Sequence, residues 1–204
     1  MKKVNLVIKR IIDILGAVIG LLIFLLPALI IAIAIKKEDN GPILYKQIRV
    51  GQNGQQFSML KFRSMVINAH SMHAVLKKNT QAESVTFKLR RDPRVTKVGS
   101  FLRKHSLDEV PQFLNVLVGQ MSLVGPRPAL PHEVERFSES ASQRLNVLPG
   151  MTGLWQVNGR SNVPFETMIQ MDLHYVEHQS LKLDLDILWK TIIQMIITDD
   201  NGAY

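Results

Sequence analysis

The chain has 204 residues, 46% of them hydrophobic and 6% aromatic, with 25 Lys and Arg against 17 Asp and Glu for a net charge of +8. That hydrophobic share excludes wholesale disorder, and the length allows one cored domain, with room for an appended segment. The absence of cysteine excludes a disulfide scaffold, thiol catalysis, cysteine-ligated zinc and iron–sulfur clusters, while the basic balance points to nucleic acid, anionic lipid or a phosphorylated small molecule as partner.

Charge and hydrophobicity are both uneven along the chain. Residues 1–35 carry +3, residues 36–105 carry +11, residues 106–132 carry −1 and residues 133–204 carry −5. The anionic partner is therefore expected to meet the middle of the chain. Ile14 to Ile35 is a run of 22 residues without a charge. At about 1.5 Å per residue, one helix of that length could cross a hydrocarbon core of about 30 Å. Lys2, Lys3, Lys9 and Arg10 precede the run, and Lys36 and Lys37 follow it. Basic residues prefer the cytoplasmic side, so clusters on both flanks argue against opposite faces. Pro27, beyond the middle of the run, removes a backbone donor and kinks a helix. The expectation is a re-entrant helix hairpin over residues 1–36 that enters the bilayer, bends near Pro27 and returns to the same face. A single span and a buried core helix are the competing readings. A cleaved signal peptide fits poorly, because no small-residue cleavage site precedes Lys36.

Residues 37–204 read as a soluble domain. Asn40-Gly41-Pro42 is a turn, Ile43-Leu44-Tyr45 an apolar stretch, and Gly51 to Gly54 a second turn before Phe57–Phe62, which together predict a β-hairpin. Residues 67–86 read as helix and loop. Val98, Phe101 and Leu102, then Val110, Phe113, Leu114 and Leu117, recur at helical spacing around a polar insert. Pro126, Pro128 and Pro131 predict an irregular segment, and Leu183–Ile197 a core helix or an interfacial helix with Trp189 at the headgroup level.

No phosphate-binding P-loop, dinucleotide fingerprint or nucleophile elbow is present. Ser106-Leu-Asp-Glu109 matches a capping box, which by itself predicts a helix start with an acidic first turn. Asp108 and Glu109 are, however, the only acids between Asp92 and Glu133, placed where the basic segment ends. A carboxylate at a helix N-terminus has its anion stabilised and can act as a nucleophile, and a second beside it can hold magnesium against a diphosphate. Arg127 lies between Pro126 and Pro128, presented with little backbone entropy to lose, and its guanidinium suits bidentate phosphate binding. A solvated turn is the plainer alternative. Lys61, Arg63, Arg90, Arg91 and Arg94 add cations. Asp184-x-Asp186 is a weak nucleotide-sugar metal motif, with helix-start carboxylates as the simpler reading. His174 and His178 share a helix face without an evident third ligand.

These segments together resemble the bacterial polyprenyl-phosphate sugar-phosphate transferases, the small monotopic phosphoglycosyl transferases. The resemblance is carried nearly end to end by Lys9-Arg-Ile-Ile-Asp13, Gly41–Gln47, Lys61-Phe-Arg-Ser-Met65, Asp92–Gly99, Ser106–Gln112, Met121–Pro128, Pro149–Arg160 and Gly202-Ala-Tyr204. It implies a helix-rich α/β fold: the re-entrant anchor, then a compact cytoplasmic catalytic domain with a small β-hairpin and interfacial amphipathic helices, on the bacterial inner membrane. It implies transfer of a sugar 1-phosphate from a UDP-sugar to undecaprenyl or another polyprenyl phosphate, as the first step of surface glycan assembly. In that family the acid at the position of Asp108 attacks the β-phosphate, expels UMP and becomes a covalent phospho-sugar, which the lipid phosphate then displaces in a ping-pong route. The acid at the position of Glu109 helps hold Mg2+, and Lys61, Arg103, Arg127 and Arg160 match basic positions near the phosphates. Asp184 matches a family acid of open role.

The sequence departs from the family at two points. Leu26-Pro27 stands where Ser-Pro is frequent, and Gln120 stands where an acid is usual. The family's larger members carry several N-terminal spans, so this chain resembles the compact version or a trimmed catalytic part. The expected partners are the UDP-sugar donor, the polyprenyl phosphate acceptor and the bilayer, with no nucleic acid and with room for a homo-oligomer. Two other classes remain open. A membrane-tethered basic protein could bind nucleic acid or anionic lipid without catalysis, although its basic segments lack interleaved aromatics for base stacking. An ordinary glycosyltransferase using Asp184 and Asp186 would release UDP rather than UMP.

Overall fold

A computed structural model describes residues 3–69, 71–72, 92–159 and 163–197 of the chain. The apolar run forms two helices, α1 (Lys3–Ile23) and α2 (Leu25–Asp39), bent by 59° at Phe24. The break has a local cause. In an unbroken helix the ring of Pro27 would collide with the carbonyl four residues earlier, that of Ile23, and Pro27 brings no N–H to the helix ladder. The chain stays tied across the bend by Phe24 N–H donating to Gly20 O at 3.0 Å and Ala28 N–H donating to Phe24 O at 2.7 Å. Pro27 therefore occupies the first turn of α2, where its missing donor leaves no carbonyl of α2 unpaired. No single helix among the described residues is long and apolar enough to cross a membrane, whereas this bent pair has the required length and composition.

α1 departs from the usual soluble pattern by turning polar and small residues inward, and α2 is apolar on both its buried and its exposed sides. Their outward faces carry Val7, Ile11, Leu15, Ile19, Leu22, Leu25, Leu26 and Leu29, while the inward stripe of α1 carries Lys9, Asp13, Ala17 and Gly20. Gly20 lets the helix close on its neighbour, since a Cβ there would stand 2.5 Å from the ring of Phe113.

Beyond the anchor pair, β1 (Leu44–Val50) and β2 (Gln56–Phe62) form an antiparallel hairpin with Leu44 opposite Phe62 and Val50 opposite Gln56. The intervening turn holds Asn53 and Gly54 at positive φ, as a tight hairpin connection requires. Most of residues 67–86 lie outside the described residues. α3 (Lys97–Lys104) begins under the Thr96 cap, whose hydroxyl accepts from Gly99 N–H at 2.9 Å. A single 3-10 turn, Leu107–Glu109, then leads to α4 (Gln112–Leu117). The polar insert between the two apolar clusters is thus the segment that holds Asp108. β3 (Ser122–Val124) and β4 (Gly150–Thr152) make a short parallel pair, with the proline-rich segment and single helical turns between them. α5 (Phe165–His178) and α6 (Leu181–Ile197) end the described chain. The result is a helix-rich α/β architecture with a small β-hairpin.

Two apolar clusters sit on either side of the hairpin. Phe57, Met59, Val116, Met121, Val124, Tyr175 and Ile187 form one, against which Ala17 of α1 packs. Ile31 and Ile35 of α2 join Phe62, Leu102 and Val110 in the other. The anchor pair is therefore welded to the domain, and polar contacts add to the joint. The Glu38 carboxylate accepts from Lys97 and Val98 N–H at 2.9 and 3.2 Å, closing the start of α3, and Asp39 pairs with Arg63.

Candidate active site

Asp108 is buried on the 3-10 turn, and Glu109 beside it keeps its side chain partly open. Lys61, at the end of β2, reaches both: its ammonium donates to Glu109 Oε1 at 2.7 Å and stands 3.8 Å from Asp108 Oδ2. Strand alternation explains this placement. Lys61 continues the row of Phe57 and Met59, whose side chains anchor the strand in the core, so the next residue on that face emerges at the turn.

The expected helix N-terminus at Asp108 is corrected by the structure. Ser106 lies in the left-handed region, at φ 55°, and its side chain makes no capping bond. A three-residue turn has no macrodipole to hold a carboxylate ionised, so counter-charge must come from neighbouring elements. Burial pushes the Asp108 carboxyl above its usual value; Lys61 and Arg103 oppose this, and the charge of Glu109 adds to it. Glu109 behaves oppositely. Against burial, which raises it, Lys61, Arg127 and Arg49 bring its carboxyl below the usual range. The two adjacent acids are thus driven apart, which is the pattern of a site with divided roles.

Arg103 projects from α3, where its Nε donates to Ser64 Oγ at 3.0 Å. This approach depends on Gly99, because a Cβ there would stand 2.0 Å from the backbone oxygen of Ser64. Arg127 is held by its own loop. The Arg127 carbonyl accepts from Arg144 Nη2 at 3.0 Å, the Pro128 carbonyl from Arg49 Nη1 at 2.9 Å, and the Ala129 carbonyl from Val50 N–H at 2.9 Å. Its guanidinium stands 3.5 Å from Glu133, a buried acid that also accepts from Leu130 N–H. The structure therefore brings Lys61, Asp108 and Glu109 into direct contact, with Arg103 and Arg127 in electrostatic reach of one acid each. Arg160 lies outside the described residues. Arg63 and Arg94 are occupied by ion pairs with Asp39 and Asp92.

Asp184 belongs elsewhere in the molecule. It is buried, accepting from Lys9 Nζ at 2.9 Å and from the Tyr175 hydroxyl at 2.6 Å, and both donors also bond Val124 O. Burial, reinforced by Asp184, raises the Tyr175 hydroxyl far above its ordinary value, so it stays a neutral donor. Asp186 is exposed and paired with Lys190. Residues two apart on a helix face different ways, so these two acids do not converge on one ion. His174 and His178 stack at 4.2 Å between ring centroids.

Several working residues escaped the sequence reading. Arg49 is buried, and burial together with Arg127 pushes its guanidinium down to about 9. Arg144 and Asp172 form a fully buried ion pair behind the Arg127 loop. Lys9 and Arg10, counted above as membrane-flanking charges, point into the protein; Arg10 donates to the carbonyls of Val116 and Leu117 at 2.8 and 3.0 Å. One signal was available: Asp13, an acid on the edge of an apolar run and four residues after Lys9, marks a buried polar stripe. Gln120, the departure noted above, has its amide oxygen accepting from Asn115 Nδ2 at 2.7 Å, which a carboxylate oxygen would do equally well.

The bacterial sugar transferase family matches residues 4–198, and the chain belongs to that family. A UDP-galactose-lipid carrier transferase of Erwinia amylovora is 45% identical over 201 residues, covering 97% of this chain and 42% of that protein. An undecaprenyl-phosphate galactose phosphotransferase of Salmonella typhimurium is 42% identical over 207 residues, covering 100% of this chain and 43% of that one. The exopolysaccharide production protein ExoY of Sinorhizobium fredii is 43% identical over 200 residues, covering 96% of this chain and 88% of that one. The chain thus spans less than half the length of the first two relatives and most of the third.

Proposed function

We propose that this chain transfers a sugar 1-phosphate from a UDP-sugar to a polyprenyl phosphate at the cytoplasmic face of the bacterial inner membrane. The observation that carries the reading is the Lys61–Asp108–Glu109 cluster, built where β2 meets the Leu107–Glu109 turn in a chain of this family. In the first step an Asp108 carboxylate oxygen attacks the β-phosphorus. The bond from that phosphorus to the bridging oxygen breaks, and UMP leaves with the electron pair. In the second step an oxygen of the lipid phosphate attacks the same phosphorus, freeing the Asp108 carboxylate and giving polyprenyl diphosphate sugar. Each step expels a good leaving group, which is the advantage of a covalent intermediate. Lys61, Arg103 and Arg127, with Arg160 by resemblance, neutralise the diphosphate, and Arg127 is presented by a loop with little freedom to lose.

The two carboxylates suit Mg2+, which takes one or two protein acids and completes its shell with substrate phosphates and water. Among the described residues no group of three or more acids or histidines converges, so a closed all-protein cage is not the donor set here. Glu109, whose Oε1 is tied to Lys61, would hold the ion, and when bound it supplies charge neutralisation at the diphosphate.

Membrane association is supported by the bent α1–α2 pair with its exposed apolar faces; in this reading residues 1–36 are the re-entrant anchor and residues 37–204 the catalytic domain. α6 supports an interfacial position, since Leu185, Trp189, Ile192 and Met195 are exposed at helical spacing along one side. The test is nucleotide release from a panel of UDP-sugars in the presence of polyprenyl phosphate. The expected product is UMP, with Asp108→Asn releasing none while remaining membrane-bound. Release of UDP, or full activity of Asp108→Asn, would overturn the reading.

A further inference from the structure

The β1–β2 hairpin is a two-stranded sheet, and such a sheet leaves backbone donors and acceptors open along its outer edge. On β2 one side chain supplies the missing strand. Asn115 of α4 is buried; its Oδ1 accepts from Leu60 N–H at 2.9 Å and its Nδ2 donates to Ser58 O at 2.9 Å. A primary amide carries the same donor and acceptor as a peptide group, so Asn115 pairs with β2 as another strand would. The second Nδ2 hydrogen goes to Gln120 Oε1 at 2.7 Å, which fixes the amide's orientation. The Asn115 carbonyl accepts from Gln120 and Met121 N–H at 3.0 and 3.2 Å, so the same residue closes the end of α4.

The two bodies clamped by this amide are the ones that carry the cluster. Lys61 is the neighbour of Leu60 on β2, and α4 begins three residues after Glu109. We infer that Asn115 is a positioning residue, whose side-chain amide sets the register of β2 against α4 and thereby holds Lys61 against Asp108 and Glu109. No apolar residue of the same size can do this, because the half-buried edge groups of Ser58 and Leu60 would lose their partner beneath α4. A slip of one residue along β2 would carry Lys61 to the opposite face of the hairpin. The inference rests on the reading of Lys61, Asp108 and Glu109 as the reacting site, but its geometric part can be tested without turnover.

Zero-length carbodiimide cross-linking of the full chain reads the geometry directly, since Lys61 and Glu109 are in contact and should yield a Lys61–Glu109 amide identified by peptide mass mapping. Wild type is expected to form it. Asn115→Leu, checked for retained helicity and cooperative unfolding, is expected to lose it to the background set by Lys61→Met. The same variant should lower kcat for UMP release from UDP-galactose or UDP-glucose by about 10- to 100-fold, while leaving KM nearly unchanged, because the reacting groups are misplaced rather than removed. If Asn115→Leu fails to fold, Gln120→Leu decides. It removes only the exposed acceptor that orients the amide, and it should weaken the cross-link in the same direction. Absence of the product in wild type, or a wild-type yield in the variants, overturns the inference. A wild type that cross-links yet releases no UMP from any UDP-sugar of the panel would instead refute the proposed function, and the cross-link comparison would still stand.

Discussion

At the scale of single residues, charge is placed by burial and pairing, and its consequences are asymmetric. Arg144 and Asp172 are both almost fully buried, and Arg144 also carries the Arg127 carbonyl and stands 5.4 Å over the ring of Phe137. Removing one member leaves the other as an uncompensated buried charge, which costs far more than the pair contributes. Asp172→Ala should therefore lower unfolding stability by about 3–5 kcal/mol, measured by denaturant titration in detergent, and should loosen the Arg127 loop. The acids of the cluster differ from this pair because Glu109 remains open to solvent on one side, where a diphosphate and its counter-ion could enter. The isolation of Asp108 and Glu109 between Asp92 and Glu133 drew attention to them, and the resemblance added their roles. Their opposite displacement was not legible, because it depends on Lys61, 48 residues away from Glu109 in sequence, and on Arg49, Arg103 and Arg127. Local spacing suggested a helix cap at Ser106; tertiary packing replaced it with a left-handed residue and a 3-10 turn.

At the scale of elements, α2 acts on the catalytic part of the fold through its C-terminal end. It delivers Glu38 to the start of α3 and Asp39 to Arg63, which follows the end of β2 two residues after Lys61. The Arg63 guanidinium, with help from Gly41 N–H, lowers the Asp39 carboxyl to about 2 against burial that would raise it. The sign is then fixed. A carboxyl depressed in the folded state contributes stability above its unfolded value near 4, and that contribution is lost as pH falls through about 2. Wild type should therefore melt above Asp39→Asn by a constant margin at neutral pH, and the two melting curves should converge between about pH 4 and pH 2. The elements themselves were largely legible. Turn residues at Gly51–Gly54 bounded the hairpin, Pro27 announced the bend, and the apolar spacing around Phe101 and Phe113 gave α3 and α4. Their partners were not legible, since Lys9 and Asp184 are 175 residues apart and nothing local couples them.

At the scale of the whole molecule, the basic balance and the apolar excess resolve into separate parts. Among the 15 Lys and Arg of residues 36–105, Arg63 and Arg94 are paired with Asp39 and Asp92, while Lys61 and Arg103 act on the acids of the candidate site. The apolar excess is concentrated on the outward faces of α1 and α2, around the bend, where Leu22 and Leu26 are each 67% exposed. A soluble surface of this kind would aggregate, whereas a bilayer satisfies it. Leu22→Lys combined with Leu26→Lys should shift the protein from the membrane to the supernatant in a flotation assay, because each lysine costs about 3 kcal/mol in a bilayer interior. Its melting temperature should change little, since neither side chain is in the core.

The most direct measurement of the covalent route is the intact mass of the full chain after incubation with a UDP-sugar and no polyprenyl phosphate. Wild type is expected to gain the mass of one sugar phosphate, mapped to Asp108, with one equivalent of UMP released, and to lose the adduct when polyprenyl phosphate is added. Asp108→Asn should gain nothing. Lipid-dependent turnover without any adduct under slow-turnover conditions, or an adduct that forms equally on Asp108→Asn, would contradict it.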